Sequence, residues 1–126
     1  MDIVVQGRRA VITVDGPMDA DQTIAFIARH YPGGDFDDAL WDLRRCPLIH
    51  LKADELRRIA DAVRAHSGNR REGRTVFVSN EDAGYGMLRM YTAYAEMEGV
   101  PATYFVCRTM DEAETWLDDT DAAGPG

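Results

Sequence analysis

The chain has 126 residues, 45% of them hydrophobic and 29% charged, which are ordinary values for one globular domain. Its formal net charge of −8 disfavours nucleic acid and anionic membranes as partners, and no apolar run is long enough to span a bilayer. The N-terminus lacks a basic start and an apolar signal core, and two cysteines make no disulfide framework or metal cluster, so we expect a cytoplasmic protein without cofactor or metal.

The first third of the chain predicts a hairpin followed by a helix. β-Branched and apolar residues fill positions 3–5 and 10–14, and a Gly-Arg turn lies between these two short strands. Asp19 begins a capping-box pattern that Gln22 completes three residues later, so a helix is expected to start there. The Pro-Gly-Gly sequence at residues 32–34 should end that helix.

Strands and helices then alternate through the rest of the chain. Apolar, strand-like runs occupy residues 39–43, 75–79 and 102–107, and Ser79 is a candidate cap for the helix after the second of them. Residues 121–126 are acidic, small or helix-breaking and are expected to form a disordered tail. The three remaining helices are predicted around Leu56, Ile59 and Val63, over about residues 82–98, and after a capping box at Thr109 and Glu112.

This alternation predicts a single α/β domain over residues 1–120. The opening hairpin is followed by strand–helix–strand units, whose crossovers are right-handed and whose strands are parallel. We therefore expect a mixed sheet of about five strands with about four helices.

Charge is distributed unevenly along the sequence. Residues 1–43 contain three arginines against eight aspartates, whereas residues 44–74 contain nine basic against four acidic residues. The second segment is interpreted either as a solvated helix face with a basic loop or as a patch for an anion or an acidic partner.

The helix over residues 82–98 holds the densest group of unusual residues. Tyr85 and Arg89 lie on a polar stripe near its start, where backbone N–H groups favour anions. The stripe is interpreted either as a solvated face with a structural arginine or as a binding site with Tyr85 and Arg89 as its candidate residues. Gly84 and Gly86 should permit a close approach of helix and sheet. By helical spacing the core face comprises Met87, Met90, Tyr91, Tyr94 and Met97, and the polar stripe comprises Tyr85, Arg89, Thr92 and Glu96.

Charged residues also follow two of the predicted strands. Asp42 and Arg44 end one strand and Arg108 ends another, and parallel strands place their carboxyl ends at one edge of a sheet. Asp42 with Arg89 or Arg108 forms either a structural ion pair or part of an arginine-rich cleft for an anionic ligand. The histidines lack metal-binding spacing and no nucleophile stands beside a base, so we expect no enzymatic activity.

Three segments resemble a known family. Residues 85–91, Tyr-Gly-Met-Leu-Arg-Met-Tyr, are similar to its aromatic–Gly and Arg-Met-Tyr helix start, and residues 39–44 resemble its Asp-Leu-Arg strand end. An arginine after the last strand, then Glu-Ala and Trp-Leu pairs, resemble its closing pattern, at Arg108, residues 112–113 and residues 116–117. The family is the SpoIIAA-like group of STAS/SEC14-like domains, and the resemblance spans roughly residues 3–118.

The resemblance implies a regulatory role, with one departure from the family. Phosphorylatable members carry Asp-Ser-Ser/Thr-Gly at the start of the second crossover helix, and the corresponding residues 50–53, His-Leu-Lys-Ala, contain no hydroxyl. We therefore expect a non-catalytic regulatory or protein-interaction module of STAS-like type without a phosphorylation switch. Because SEC14-like relatives bind lipids, the alternative is a protein that binds a small anionic or lipid-like ligand between the helix 82–98 and the sheet edge. A homodimer is compatible with either role.

Overall fold

The computed structural model describes residues 1–34, 36–67, 73–100 and 102–123, with side chains as far as residue 118. No helix in these ranges is long and apolar enough to cross a membrane. Five strands and four helices follow one another as β1 (Asp2–Gln6), β2 (Arg9–Asp15), α1 (Ala20–His30), β3 (Asp38–Arg45), α2 (Ala53–His66), β4 (Gly73–Val78), α3 (Asp82–Met97), β5 (Ala102–Cys107) and α4 (Met110–Ala123).

The strands form one sheet in sequential order, β1-β2-β3-β4-β5. β1 and β2 are antiparallel, and the two-residue turn between them begins at Gly7, whose φ of 62° lies in the left-handed region that glycine favours. The other neighbouring strands are parallel. The predicted α/β fold, with a mixed sheet that opens on a hairpin, is therefore confirmed.

Three crossover helices share one face of the sheet, because connections between sequential parallel strands all have the same hand. α1, α2 and α3 pack side by side there, with α2 in the middle. α4 packs on the opposite face against β3, β4 and β5. That arrangement leaves much of β1 and β2 uncovered on the α4 face, where Val4 is 55% exposed.

The larger core fills the space between the sheet and the three crossover helices. Alternate side chains of the strands face it, and Ile12, Trp41 and Phe77 lie in register across three neighbouring strands. Trp41 Nε1 donates a hydrogen bond of 3.2 Å to Tyr31 Oη, which satisfies both polar groups inside the core. The smaller core beneath α4 contains Leu40, Val76, Val78, Cys107, Ala113 and Leu117.

The predicted caps at Asp19 and Thr109 are confirmed. The Gln22 backbone N–H donates to Asp19 Oδ1 at 2.9 Å, and the Glu112 backbone N–H donates to Thr109 Oγ1 at 3.2 Å. α3 starts differently, because its N-cap is Glu81 and no side chain caps it. The prediction that Ser79 caps this helix is therefore wrong.

The absence of a side chain at Gly84 allows the start of α3 to lie close to Ser79 at the end of β4. A Cβ atom on Gly84 would lie 2.4 Å from Ser79 Oγ and 3.7 Å from Leu48 Cδ1, so the first turn of α3 packs directly on the end of β4. At Gly86, in contrast, a Cβ atom would meet no heavy atom within 4 Å. The predicted close approach is confirmed at Gly84 and wrong at Gly86, which lies on the exposed side of the helix.

The buried face of α3 is rotated from the predicted one. Met90 and Met97 are 48% and 81% exposed, and Thr92 is buried, with its hydroxyl donating to the Arg89 carbonyl oxygen at 3.0 Å. These methionines therefore lie beside the core rather than facing its centre. A shift of one residue in the predicted face is enough to cause this, since each residue turns the helix by about 100°. Tyr91 is buried as predicted, and the buried line runs through Gly84, Leu88, Tyr91, Thr92 and Ala95.

The C-terminal helix is longer than the sequence pattern indicates. The α4 backbone is helical from Met110 to Ala123, so residues 121–123 of the predicted tail belong to this helix. Residues 124–126 of that tail lie outside the described residues.

The two cysteines are expected to resist modification in the folded protein. Both are buried, and burial raises the pKa of the Cys46 and Cys107 thiols to about 11. Because the thiolate is the reactive form, a thiol reagent should label the native protein slowly at about pH 8 and label both cysteines rapidly after denaturation. Their contribution to stability should be lost as the pH rises from about 9 towards about 11. Rapid labelling of the native chain would contradict this burial.

Candidate functional site

The carboxyl edge of the parallel strands carries the predicted site residues. β2 to β5 all end at this edge, and the loops that follow them contain residues 16–19, 46–52, 79–81 and 108–109. The structure brings Tyr85, Arg89 and Arg108 together there. Asp42 and Arg44 instead form a separate pair.

Two guanidinium groups lie near the Tyr85 ring, and we call Tyr85, Arg89, Arg108 and Asp82 the Tyr85 cluster. The Arg108 Cζ atom is 4.5 Å from the centroid of the tyrosine ring and that of Arg89 is 6.0 Å from it, both within cation–π range. Arg108 Nη1 also donates to Asp82 Oδ1 at 2.6 Å, which joins the end of β5 to the first turn of α3. Asp82 is the member of this cluster that the sequence interpretation missed.

Arg89 is the member of the Tyr85 cluster that is open to a partner. It is exposed, and its Nη1 atom makes a long contact of 3.5 Å with Tyr85 Oη. Within the described ranges no carboxylate lies at ion-pair distance from Arg89, whereas Arg108 is paired with Asp82. A guanidinium beside an aromatic ring is a frequent anchor in protein interfaces, because it offers both apolar area and directed donors.

Asp42 and Arg44 form a self-contained ion pair. Arg44 Nε and Nη2 donate to the two carboxylate oxygens of Asp42 at 2.8 and 2.9 Å. These hydrogen bonds lower the pKa of Asp42 and raise the pKa of Arg44, so the stability gained from the ionised Asp42 is lost as the pH falls through its lowered pKa. The predicted ion pair of Asp42 with Arg89 or Arg108 is wrong. Side chains alternate along a strand, and Asp42 faces the α4 side with Leu40, away from α3.

A partly apolar cleft lies at the same carboxyl edge as the Tyr85 cluster. It lies between the loop after β3 and the first turn of α3, and Ile49 at its rim is 72% exposed. Hydrogen bonds hold the loop, since the Leu51 backbone N–H donates to the Leu48 carbonyl oxygen at 3.0 Å and His50 Nε2 lies 2.6 Å from the Met18 carbonyl oxygen. We call this the loop cleft, lined by Cys46, Pro47, Leu48, Ile49, Ser79, Glu81, Ala83 and Gly84.

The sequence contained one signal for the loop cleft. Pro47, Leu48 and Ile49 form an apolar run that belongs to no strand or helix period, and such a run outside an element needs a packing partner or a binding role. In the structure, one residue of this run packs inside the protein and another is exposed. Leu48 is buried at 3% exposure, and Ile49 points to solvent.

A second apolar space lies inside the larger core, beneath α2. Tyr91, Met87 and Leu88 of α3 border it, and Tyr85 does not. Its volume is about 40 Å³. A dry cavity of about 150 Å³ is needed to hold a molecule of the size of benzene. A lipid-like ligand therefore requires a core that opens well beyond this structure.

The basic segment at residues 44–74 does not form one basic surface in the described part of the chain. Arg58 pairs with Asp21 of α1, Arg74 pairs with Asp38, and Arg45 lies near Asp15. Aspartates of residues 1–43 thus form ion pairs with arginines of residues 44–74. Of the basic loop predicted at residues 70–73, residues 70–72 lie outside the described residues, and Gly73 is the first residue of β4 rather than part of a loop.

Among the described residues, the carboxyl edge presents arginine, tyrosine and aliphatic side chains. In the described ranges, no cluster of three His, Cys, Asp or Glu residues has the geometry of a metal site. Both thiols are buried with raised pKa values, so neither is an activated nucleophile. No protein-family model matches this chain, and no curated protein matches it.

Proposed function

We propose that the chain is a non-catalytic protein-interaction module of STAS-like type, which binds a partner protein at the carboxyl edge of its sheet. The contact surface comprises the loop cleft and the adjacent Tyr85 cluster. The observation that carries the proposal is the exposure of Ile49, at 72%, beside a partly apolar cleft on a loop held by hydrogen bonds.

Exposed apolar area on a held loop favours a protein partner. Covering a large aliphatic side chain removes apolar surface from water, and a fixed loop loses little conformational entropy on binding. The Tyr85 cluster begins in the same first turn of α3 whose residues Ala83 and Gly84 line the loop cleft, and aromatic and arginine side chains supply most of the strong contacts in interfaces. The proposed surface therefore combines exposed apolar area at the loop cleft with the cationic and aromatic side chains of the Tyr85 cluster.

The positive charge of the Tyr85 cluster indicates which chemical groups a partner would place against it. Arg89 has no carboxylate partner in the described chain, while Arg108 is already bound to Asp82. A carboxylate on the partner near Arg89 would form a charge-assisted hydrogen bond there. We therefore expect a partner segment with one aliphatic side chain for the loop cleft and one acidic group for Arg89.

The start of α2 supports a module without a phosphorylation switch. Lys52 is the N-cap of this helix, and its backbone N–H donates to Glu55 Oε1 at 2.9 Å. In the resembling family the phosphoacceptor belongs at this position. The cap here is built without a hydroxyl group, which supports a module without a phosphoacceptor at this position.

The proposal is tested by quantitative partner capture with the tagged full-length chain. Ile49→Lys should reduce partner recovery about tenfold or more, because it places an ammonium in the apolar centre. Arg89→Ala and Tyr85→Ala should each reduce it less. Met97→Lys is the matched control, since Met97 is 81% exposed at the far end of α3. Equal recovery with Ile49→Lys and Met97→Lys, both with unchanged thermal melting, would rule out this surface.

The second candidate is a protein that binds a small apolar or anionic ligand. The cavity beneath α2 favours it, because its lining is almost wholly apolar and Tyr91 borders it. Because this cavity has a volume of about 40 Å³, too small for such a ligand, the ligand-binding function ranks below the protein-interaction function. Saturable binding of a fatty acid that survives Ile49→Lys and is lost when Val63 is enlarged to Phe would reverse this order.

A further inference from the structure

The free edge of β1 is the feature that the proposed function does not use. Among the described strands, β1 is the outermost and pairs only with β2. Sheet edges are commonly protected by charged side chains, proline, bulges, a very short strand or a covering segment. The five-residue β1 sequence, Asp-Ile-Val-Val-Gln, has no proline and carries a charge only at its terminal Asp2, and Val4 and Val5 are 55% and 47% exposed.

The register of the hairpin shows which backbone groups face outward. Gln6 and Arg9 flank the two-residue turn, and such a pair exchanges both of its hydrogen bonds. Because this type of pair recurs at every second residue, Val4 also directs its N–H and C=O groups towards β2. Ile3 and Val5 therefore direct theirs away from the sheet.

We propose that two copies of the chain pair β1 against β1 in antiparallel orientation, with Val4 opposite Val4 of the partner subunit. Ile3 then faces Val5 of the partner subunit, and both residues have outward backbone groups, so each such pair exchanges two hydrogen bonds. The two five-stranded sheets become one continuous sheet across a twofold axis at Val4.

This strand is complementary to itself in that register. Apolar residues meet apolar residues, and Asp2 faces Gln6 of the partner subunit rather than a second carboxylate. A shift of one residue would set outward backbone groups against inward ones, and a shift of two would shorten the overlap. A strand from an unrelated protein would match this edge only by chance, which favours a second copy as the occupant.

Side-chain burial favours the same pairing. On the α4 face, Val4 lies beside the half-buried Val11 of β2, so the two Val4 side chains and their Val11 neighbours form one apolar band across the axis. On the other face, Ile3 already packs against the larger core and would cover the exposed Val5 of the partner subunit. The net charge of −8 on each copy opposes association, so added salt should raise the dimer fraction.

The dimer leaves the proposed binding surface open. The twofold axis reverses the strand direction, so the carboxyl edges of the two copies point in opposite directions. Each dimer would then present two loop clefts that do not obstruct one another. Ile49→Lys should abolish partner capture without changing the dimer, which separates a failure of one proposal from a failure of the other.

Oxidative crosslinking of the full chain tests the register. In this pairing the two Val4 Cα atoms are about 4.5 Å apart in a non-hydrogen-bonded pair, within the range for a disulfide. Val4→Cys should therefore form a covalent dimer under mild oxidation. Gln6→Cys is the matched control, because it faces Asp2 of the partner subunit and should crosslink at least tenfold less. Cys46 and Cys107 are buried and leave the new thiol as the accessible one in the described chain.

Sedimentation of the unmodified chain provides the second measurement. Wild type should show a monomer–dimer equilibrium between about 0.01 and 1 mM, and Val4→Lys should be monomeric throughout, because it sets two ammonium groups opposite each other. Equal crosslinking of Val4→Cys and Gln6→Cys, or a wild-type chain that stays monomeric over this range, overturns the proposal.

Discussion

Replacing Asp38 by alanine is expected to lower the free energy of unfolding by about 2–4 kcal/mol. Asp38 is 8% exposed, and its two carboxylate oxygens accept hydrogen bonds from Arg74 Nε and Nη2 at 2.9 and 2.7 Å. Arg74 Nη1 donates in addition to the Leu117 carbonyl oxygen at 3.1 Å. The pair thus joins β3, β4 and α4, and the alanine variant leaves a largely buried guanidinium without its carboxylate.

Chemical denaturation with guanidinium chloride, followed by far-UV circular dichroism, measures this effect. Arg58→Ala is the control, because its ion pair with Asp21 is exposed at both side chains and should be worth less than about 1 kcal/mol. If Asp38→Ala and Arg58→Ala cost the same, the Asp38–Arg74 pair would be no more than a surface contact.

Replacing Gly84 by alanine should lower the free energy of unfolding by about 1–3 kcal/mol, although alanine is the better helix former. The new methyl group would lie 2.4 Å from Ser79 Oγ, so the hydroxyl must rotate or the helix must move away from β4. Gly86→Ala is the matched control in the same helix. It meets open space and should raise stability by about 0.5–1 kcal/mol.

A double substitution isolates the clash at Gly84. Ser79→Ala removes the hydroxyl and leaves Ser79 Cβ at 3.6 Å from the new methyl group, an ordinary contact. The Gly84→Ala loss should therefore be smaller in the Ser79→Ala background, with a coupling of about 1 kcal/mol. If the free energies lost in Gly84→Ala and in Ser79→Ala simply add in the double variant, the close approach lies elsewhere along the helix.

The two proposals place two separate binding surfaces on this small domain. The first comprises the loop with the exposed Ile49 and the arginine and tyrosine side chains of the Tyr85 cluster. The second is the backbone edge of β1, whose one charged residue is the terminal Asp2. A domain that pairs through its sheet and binds partners through its loops would present two equivalent sites per dimer, which raises the avidity for a partner with two binding motifs.

The fold was largely predictable because its signals are local. The alternation of apolar residues sets each strand, and Asp19 and Thr109 cap their helices through residues three positions ahead. Sequential strands with crossovers of one hand leave few arrangements of the sheet. These features require no knowledge of distant contacts.

The candidate site was predictable in part. Tyr85, Arg89 and Arg108 meet as expected from the ends of parallel strands, but Asp42 does not join them. Which partner an arginine finds depends on side-chain direction across elements far apart in the sequence. Asp82 captures Arg108 from the first turn of α3, and Asp42 is captured by Arg44 two residues away.

By itself, the sequence determined the elements, their order and the α/β class, since these follow from periodicity, capping and chain connectivity. Only the tertiary structure decided which residues stay in solvent. Met90 and Ile49 are exposed while Thr92 is buried, because the packing angle of α3 and the path of the loop after β3 are fixed by long-range contacts. The basic segment at residues 44–74 likewise does not form a separate basic surface among the described residues. Its Arg58 and Arg74 form ion pairs with Asp21 and Asp38 of the acidic first third of the chain.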